Sequence, residues 1–120
     1  MGRLHHAAAV VAFLVLLSAL PVRAGDLVVN LVSVTSPAAP SSDARLEVKT
    51  APEAQCDITV RYKSGPSKAK GLVGRKADSG GRVAWIWRVG SNTTPGKWPI
   101  IVTCRNGGDQ GELRTAFEVR

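Results

Sequence analysis

Two cysteines, Cys56 and Cys104, are the only thiols in 120 residues. Each lies in a run that alternates apolar and polar residues, Cys56-Asp-Ile-Thr-Val-Arg-Tyr62 and Trp98-Pro-Ile-Ile-Val-Thr-Cys104. If the chain is exported, two such thiols are read as one disulfide. A second set is aromatic. Trp85, Trp87, Trp98 and Tyr62 could stack on sugars or bases. Alternation places the three tryptophans on inward faces, so core packing is their expected role. Trp87, nearest its strand end, is expected to be the most exposed of them.

A third set is basic. Tyr62–Lys76 carries Lys63, Lys68, Lys70, Arg75 and Lys76 among glycines, with hydroxyls at Ser64 and Ser67. Backbone N–H groups beside such cations can hold phosphate, sulfate or carboxylate. The Gly-Lys-Ser/Thr order of a phosphate-binding loop is missing, so no nucleotide is expected. The candidate ligand-binding residues are therefore Lys63, Lys68, Lys70, Arg75, Lys76 and Trp87. Asn92-Thr93-Thr94 has the form of a glycosylation acceptor. Asp78 and Asp109 are single loop carboxylates, read as turn-makers rather than calcium ligands. No metal site and no cofactor are expected.

What is missing narrows the chemistry. Both histidines, His5 and His6, fall in the N-terminal apolar segment. A chain cleaved after that segment has no imidazole for a general base, a metal ligand or a Ser-His or Cys-His pair. No acid/base pair of carboxylates stands out either, and no catalytic residue is assigned.

These residues have to be positioned by something, and the chain supplies strands. Residues 1–24 read as a signal peptide: Arg3, an apolar run over Ala7–Leu20, and a small-x-small site at Val22-Arg23-Ala24. The run is too short to span a bilayer comfortably, so no stable membrane span is expected. The mature chain then starts at Gly25. Its formal net charge falls from +7 to +5 with the loss of Arg3 and Arg23, a balance that favours anionic partners. Residues 25–120 suffice for one domain with a modest core, where a covalent cross-link helps.

Gly25–Pro37 is the first strand by its β-branched content. Its alternation is poor, so it is either buried on both sides or switches between sheets. Ala44–Thr50 alternates cleanly, with Ala44, Leu46 and Val48 inward. Cys56–Lys63 follows, with Cys56, Ile58, Val60 and Tyr62 inward. Ser64–Gly81 is the longest connection; its glycines argue against a helix, and Leu72-Val73 is a short edge strand or a plug over the core. Gly81–Gly90 holds a strand with Val83, Trp85, Trp87 and Val89 inward. Ser91–Gly96 is a turn. Trp98–Arg105 is a strand with Pro99 at its start or at an edge. Asn106–Gly111 is a hairpin loop, and Glu112–Arg120 the last strand, with Leu113, Phe117 and Val119 inward. Strands and turns at this spacing argue for a β-sandwich.

Two stretches carry a resemblance. Leu46-Glu-Val-Lys-Thr-Ala-Pro52 precedes Cys56-x-Ile-x-Val60, and Thr94-Pro-Gly-x-Trp-Pro-Ile-x-Val102 precedes Phe117-x-Val119. With these the chain resembles the bacterial immunoglobulin-like modules of exported and surface proteins over most of residues 27–120. The resemblance implies an all-β, immunoglobulin-like β-sandwich of six to seven antiparallel strands. In antibody-type domains the disulfide joins the two sheets and a Trp follows the first Cys on the next strand. In this chain Trp85 stands beyond the long loop. With the family's strand order, Cys56 opens strand C and Cys104 ends strand F. These are neighbours in one sheet, so the bridge is expected within a sheet.

Such modules serve as spacers, adhesins and polymer binders alike. The functional expectation is a secreted or surface-associated, non-catalytic module. It would act by adhesion or bind an anionic surface polymer or glycan through the basic loop. The alternative is a protein-interaction or inhibitor module, binding a protein partner through loop tips.

Overall fold

A computed structural model describes residues 25–120; the expected signal peptide lies outside the described residues. Eight strands run in chain order: β1 (Asn30–Val34), β2 (Asp43–Lys49), β3 (Gln55–Tyr62), β4 (Gly65–Pro66), β5 (Arg75–Lys76), β6 (Arg82–Arg88), β7 (Gly96–Asn106) and β8 (Asp109–Val119). One sheet has the order β1-β2-β6. In the other, β3-β7-β8 form the body, and the two-residue strands β4 and β5 share the outer edge of β3. All strand pairs are antiparallel. β1, β2 and β6 stand where the immunoglobulin fold has its A, B and E strands, β3, β7 and β8 where it has C, F and G, and the fold is an immunoglobulin-like β-sandwich.

The alternation read from the sequence is what packs the two sheets. Ala44, Leu46 and Val48 of β2 are buried while Arg45 and Lys49 are exposed. Leu46 lies opposite Trp85, and Ala44 opposite Trp87. Against them the second sheet sets Cys56, Val60, Ile100, Val102, Cys104 and Phe117, all essentially free of solvent. The small Ala44 beside Trp87 leaves room for the indole, and the inward side chains of the two layers pack against each other. No buried side-chain polar atom in the described residues lacks a partner.

Cys56 and Cys104 face each other directly in the β3–β7 ladder and are bonded, with their Cα atoms 4.1 Å apart. The bridge lies within one sheet, as the expected strand order requires. So short a Cα separation suits a directly opposed, non-hydrogen-bonded pair. The same ladder stops at Val60↔Ile100. The next residue of β7 in that direction is Pro99, which has no N–H to give. Past this point Tyr62 instead pairs with Gly65, closing a two-residue turn at Lys63-Ser64. Gly65 sits at φ 117°, a conformation that side chains other than hydrogen rarely adopt.

The first strand switches sheets. Asp26 bridges Gln110 on β8, Asn30–Val34 pairs with β2, and Ala38 bridges Val119 on β8. It is not buried on both sides: Val28, Leu31 and Val32 are exposed, and a bulge between Leu31 and Ser33 breaks its register. The switch covers both ends of β8's free edge, a common protection against edge-to-edge pairing.

The long connection seals the opposite side. Gly71, at φ 94°, passes so close to the Ile86 carbonyl that a Cβ there would collide with it. Leu72 packs against the core, as a plug would, while Val73 is exposed and its carbonyl accepts a hydrogen bond from Trp85 Nε1 at 2.8 Å. The short strands fall at Gly65–Pro66 and Arg75–Lys76 rather than at Leu72-Val73. The hairpin after β7 is also tighter than expected. Asn106 pairs with Asp109, leaving only Gly107-Gly108 as the turn. The polar residues Asn106, Asp109 and Gln110 are ladder residues, because two glycines alone can reverse the chain.

Outside the first sheet, Glu47 accepts from Arg45 Nη2 at 2.8 Å and Arg82 Nη1 at 2.6 Å. These two guanidinium groups hold its carboxyl below the usual carboxylate range.

Candidate functional site

The sequence-derived candidates divide into three places. Lys63 stands in the turn at the end of β3, next to the half-buried Tyr62. Lys68 and Lys70 lie in the connection that follows. Arg75 and Lys76 form β5, paired with Cys56 and Gln55 at the start of β3. The connection therefore runs back along the free edge of β3, and its two ends are separated by the length of that strand. For eight residues this is roughly 23 Å. The cations form a row rather than a concave, convergent cluster. All five are exposed.

Trp87 does not join them. It is 1% exposed, with Phe117 edge-on at 5.6 Å between ring centroids, and Nε1 donating to Tyr62 Oη at 3.3 Å. This corrects the expectation that it is the most exposed tryptophan. The core continues past it to Val89, also fully buried, so the strand end is not the end of the packed interior. Trp98 is the partly exposed one. Its ring meets Tyr62 edge-on at 6.1 Å, and its Nε1 donates to the Thr94 carbonyl at 2.8 Å.

The row has charge character of its own. Between Asp57 and Asp78 the chain holds Arg61 as well as the five predicted cations, and no carboxylate. Lys76 reaches Glu53 at 3.8 Å; Arg61, Lys63, Lys68, Lys70 and Arg75 have no carboxylate within ion-pair reach among the described residues. Elsewhere the arginines are mostly matched: Arg45 and Arg82 with Glu47, Arg88 with Asp43, Arg105 with Asp57, Arg114 with Glu112. The excess positive charge is thus concentrated along one sheet edge.

A second feature sits at the end of the sandwich where the β3–β7 ladder has stopped. An open cleft of about 480 Å³ lies between Tyr62–Ser64 and Gly90–Thr94. Both walls are tight turns. The first is closed by the Tyr62–Gly65 pairing; the second by Thr93 N–H and Oγ1 donating to the Gly90 carbonyl, at 3.2 and 2.9 Å. The aromatic cluster of Tyr62, Trp87, Trp98 and Phe117 lies behind it. The sequence marks Ser91–Gly96 only as a turn. A run of four hydroxyl or amide side chains, Ser91-Asn92-Thr93-Thr94, is the available signal, but nothing local reveals which turn faces it. No group of three or more His, Cys, Asp or Glu side chains converges among the described residues. No helix there is long and apolar enough to cross a membrane.

Burial pushes the Tyr62 phenol above its ordinary value near 10, and the N–H donated by Trp87 opposes that. The phenol is the chain's only one, so tyrosinate absorbance reads it alone. The folded protein is expected to titrate at higher pH than the urea-unfolded chain. Because the folded value is the raised one, stability is intact below the unfolded value and falls as pH climbs through the folded one. Coincident titration curves would contradict this burial.

No protein-family model matches the chain, and no curated protein matches it. Among solved structures, the crystal structure of a tetra-tandem repeat in the extending region of a large adhesion protein is similar, with a TM-score of 0.55 and 21% sequence identity. The match covers 80% of this chain and 24% of that one, so this chain spans about a quarter of that structure's length, and what the two share is the fold.

Proposed function

We propose that this chain is an exported, non-catalytic immunoglobulin-like module of the bacterial surface-protein kind, which holds an anionic surface polymer along the outer edge of β3. The observation that carries the reading is the row Arg61, Lys63, Lys68, Lys70 and Arg75, without carboxylate partners and strung along one strand. A single small anion needs convergent donors. A row of spaced cations suits a ligand with repeated charges. The leader segment and the disulfide support export. The fold shared with an adhesion-protein repeat supports an adhesive or spacing role. Without a histidine past residue 6, acid/base catalysis has little to work with. The alternative, a protein partner held by loop tips, has less behind it: the tips at Lys63-Ser64 and Gly107-Gly108 carry no aromatic or large apolar side chain.

The test is retention on immobilised heparin under a salt gradient. Replacing Lys68, Lys70, Arg75 and Lys76 by Ser is expected to bring elution to markedly lower salt. Replacing Arg45, Arg88, Arg105 and Arg114 by Gln removes the same charge elsewhere and is expected to change it much less. Equal shifts from both variants would show retention by net charge alone, and the reading would fail.

A further inference from the structure

The geometry of the cleft between Tyr62–Ser64 and Gly90–Thr94 points to a binding site for one acidic sugar residue, separate from the cation row. Three properties of the lining carry this. The first is hydrogen-bonding type. Ser64, Ser91 and Thr94 bring hydroxyls that both donate and accept, and Asn92 brings an amide that does the same. Such groups match the adjacent hydroxyls of a sugar ring, whereas an apolar peptide side chain would leave them unpaired. The second is charge. Lys63 is the cleft's one ionic group; it has no carboxylate within ion-pair reach, and no carboxylate lines the cleft. One cation without a competing acid suits one carboxylate on the ligand. The third is the half-buried ring of Tyr62, whose oxygen is held by Trp87 Nε1. It supplies the apolar surface on which a sugar's C–H face can rest.

The site is also built in advance. Its two walls are closed turns, and Trp98 fastens the Gly90–Thr94 wall through the Thr94 carbonyl. Walls already fixed have little conformational freedom to lose on binding. The volume of about 480 Å³ lies within the usual range for small-ligand sites, roughly 300–1,000 Å³. This inference does not depend on the polymer reading. Only Lys63 belongs to both places, and it is left intact in the heparin variants.

The experiment is a titration of the purified, ¹⁵N-labelled protein with methyl glucuronide, methyl galacturonide and N-acetylneuraminic acid, followed by amide chemical shifts. Methyl glucoside and acetate serve as the neutral and the purely anionic comparators. At least one acidic sugar is expected to give saturable shifts at Ser64, Ser91, Asn92 and Thr94. Affinities in the millimolar range are readable with ligand up to about 20 mM. Lys63→Ser is expected to weaken that sugar about tenfold and leave the glucoside unchanged. Asn92→Ala should weaken both, and both variants should melt as the parent does, since each lies in an exposed turn. The Lys68, Lys70, Arg75 and Lys76 variant is expected to keep the response. The inference is overturned if all three acidic sugars are silent, if acetate or the glucoside produces the same shifts at the same concentration, or if shifts appear only over residues 68–76. The last result would leave the polymer reading standing.

Discussion

Reduction of the Cys56–Cys104 bond is expected to remove a large share of the stability of the fold. The two cysteines are 48 positions apart, and closing a loop of that size stabilises a native state by about 4 kcal/mol on the chain-entropy account. A domain of this size has roughly 5–15 kcal/mol in all. Both cysteines are essentially free of solvent, so the reduced state also leaves two thiols in the core beside the Ile58–Val102 pair. For a domain near 100 residues, about 4 kcal/mol corresponds to a fall in Tm of roughly 16–30 °C. Thermal unfolding followed by tryptophan emission, with and without reductant, makes the measurement. The double variant Cys56→Ala/Cys104→Ala should reproduce the reduced value. A fall of under about 5 °C in both would mean that the bond spans a loop already ordered in the unfolded chain, and the entropic origin of its contribution would be wrong.

The second large effect is expected at Trp85. It is wholly buried, lies opposite Leu46 across the β2–β6 ladder, and gives its N–H to the Val73 carbonyl. Trp85→Ala leaves a large cavity, for which about 3–5 kcal/mol is the usual cost. It also frees the connection that covers the β3–β6 side, because Trp85 is the side chain that fastens Val73. Trp85→Phe separates the two contributions. It keeps much of the packing and loses the hydrogen bond, so roughly 1–2 kcal/mol is expected. Chemical unfolding gives both values. If Trp85→Ala cost no more than Trp85→Phe, the packing of the indole would contribute nothing beyond its hydrogen bond. Faster proteolysis within residues 64–81 of both variants, with the remaining body intact, would register the loosened connection.

Most of the fold is legible in the sequence because strand period and burial coincide. Leu46, Ile58, Trp85 and Val102 are all inward where alternation places them, and the limits of β2, β3, β6 and β7 differ by a residue or two, whereas β1 is shorter than Gly25–Pro37 at both ends and β8 starts ahead of Glu112. Alternation fails where a strand serves two sheets. Residues 25–38 pair with β8, then β2, then β8 again, so no single period describes them. Alternation is also silent on how far a core extends along its axis. That is why Trp87, near a strand end, reads as the most exposed of the three tryptophans, although Tyr62 and Phe117 lie against it. The candidate site is half legible. Lys63 and Tyr62 stand out by type, but their partners in the cleft come from the β6–β7 turn, some thirty positions away, and only the folded topology brings the two turns together. The spread of Lys68–Lys76 along β3 is equally invisible, because it depends on Arg75 pairing with Cys56.

The parallel bridges Asp26↔Gln110 and Ala38↔Val119 place Gly25 at the disulfide end of the sandwich and Arg120 at the cleft end. Tension applied through these two points would pull along the strands, so the contacts between the first strand and β8 would resist in shear and not peel apart one by one. Should they give way, the 48-position span behind the sulfur bond would still be withheld from stretching. At roughly 3.4 Å per residue, that caps the lengthening about 160 Å short of the fully drawn chain. Under such a load the bond would act as a mechanical stop, present for as long as the surroundings keep it oxidised.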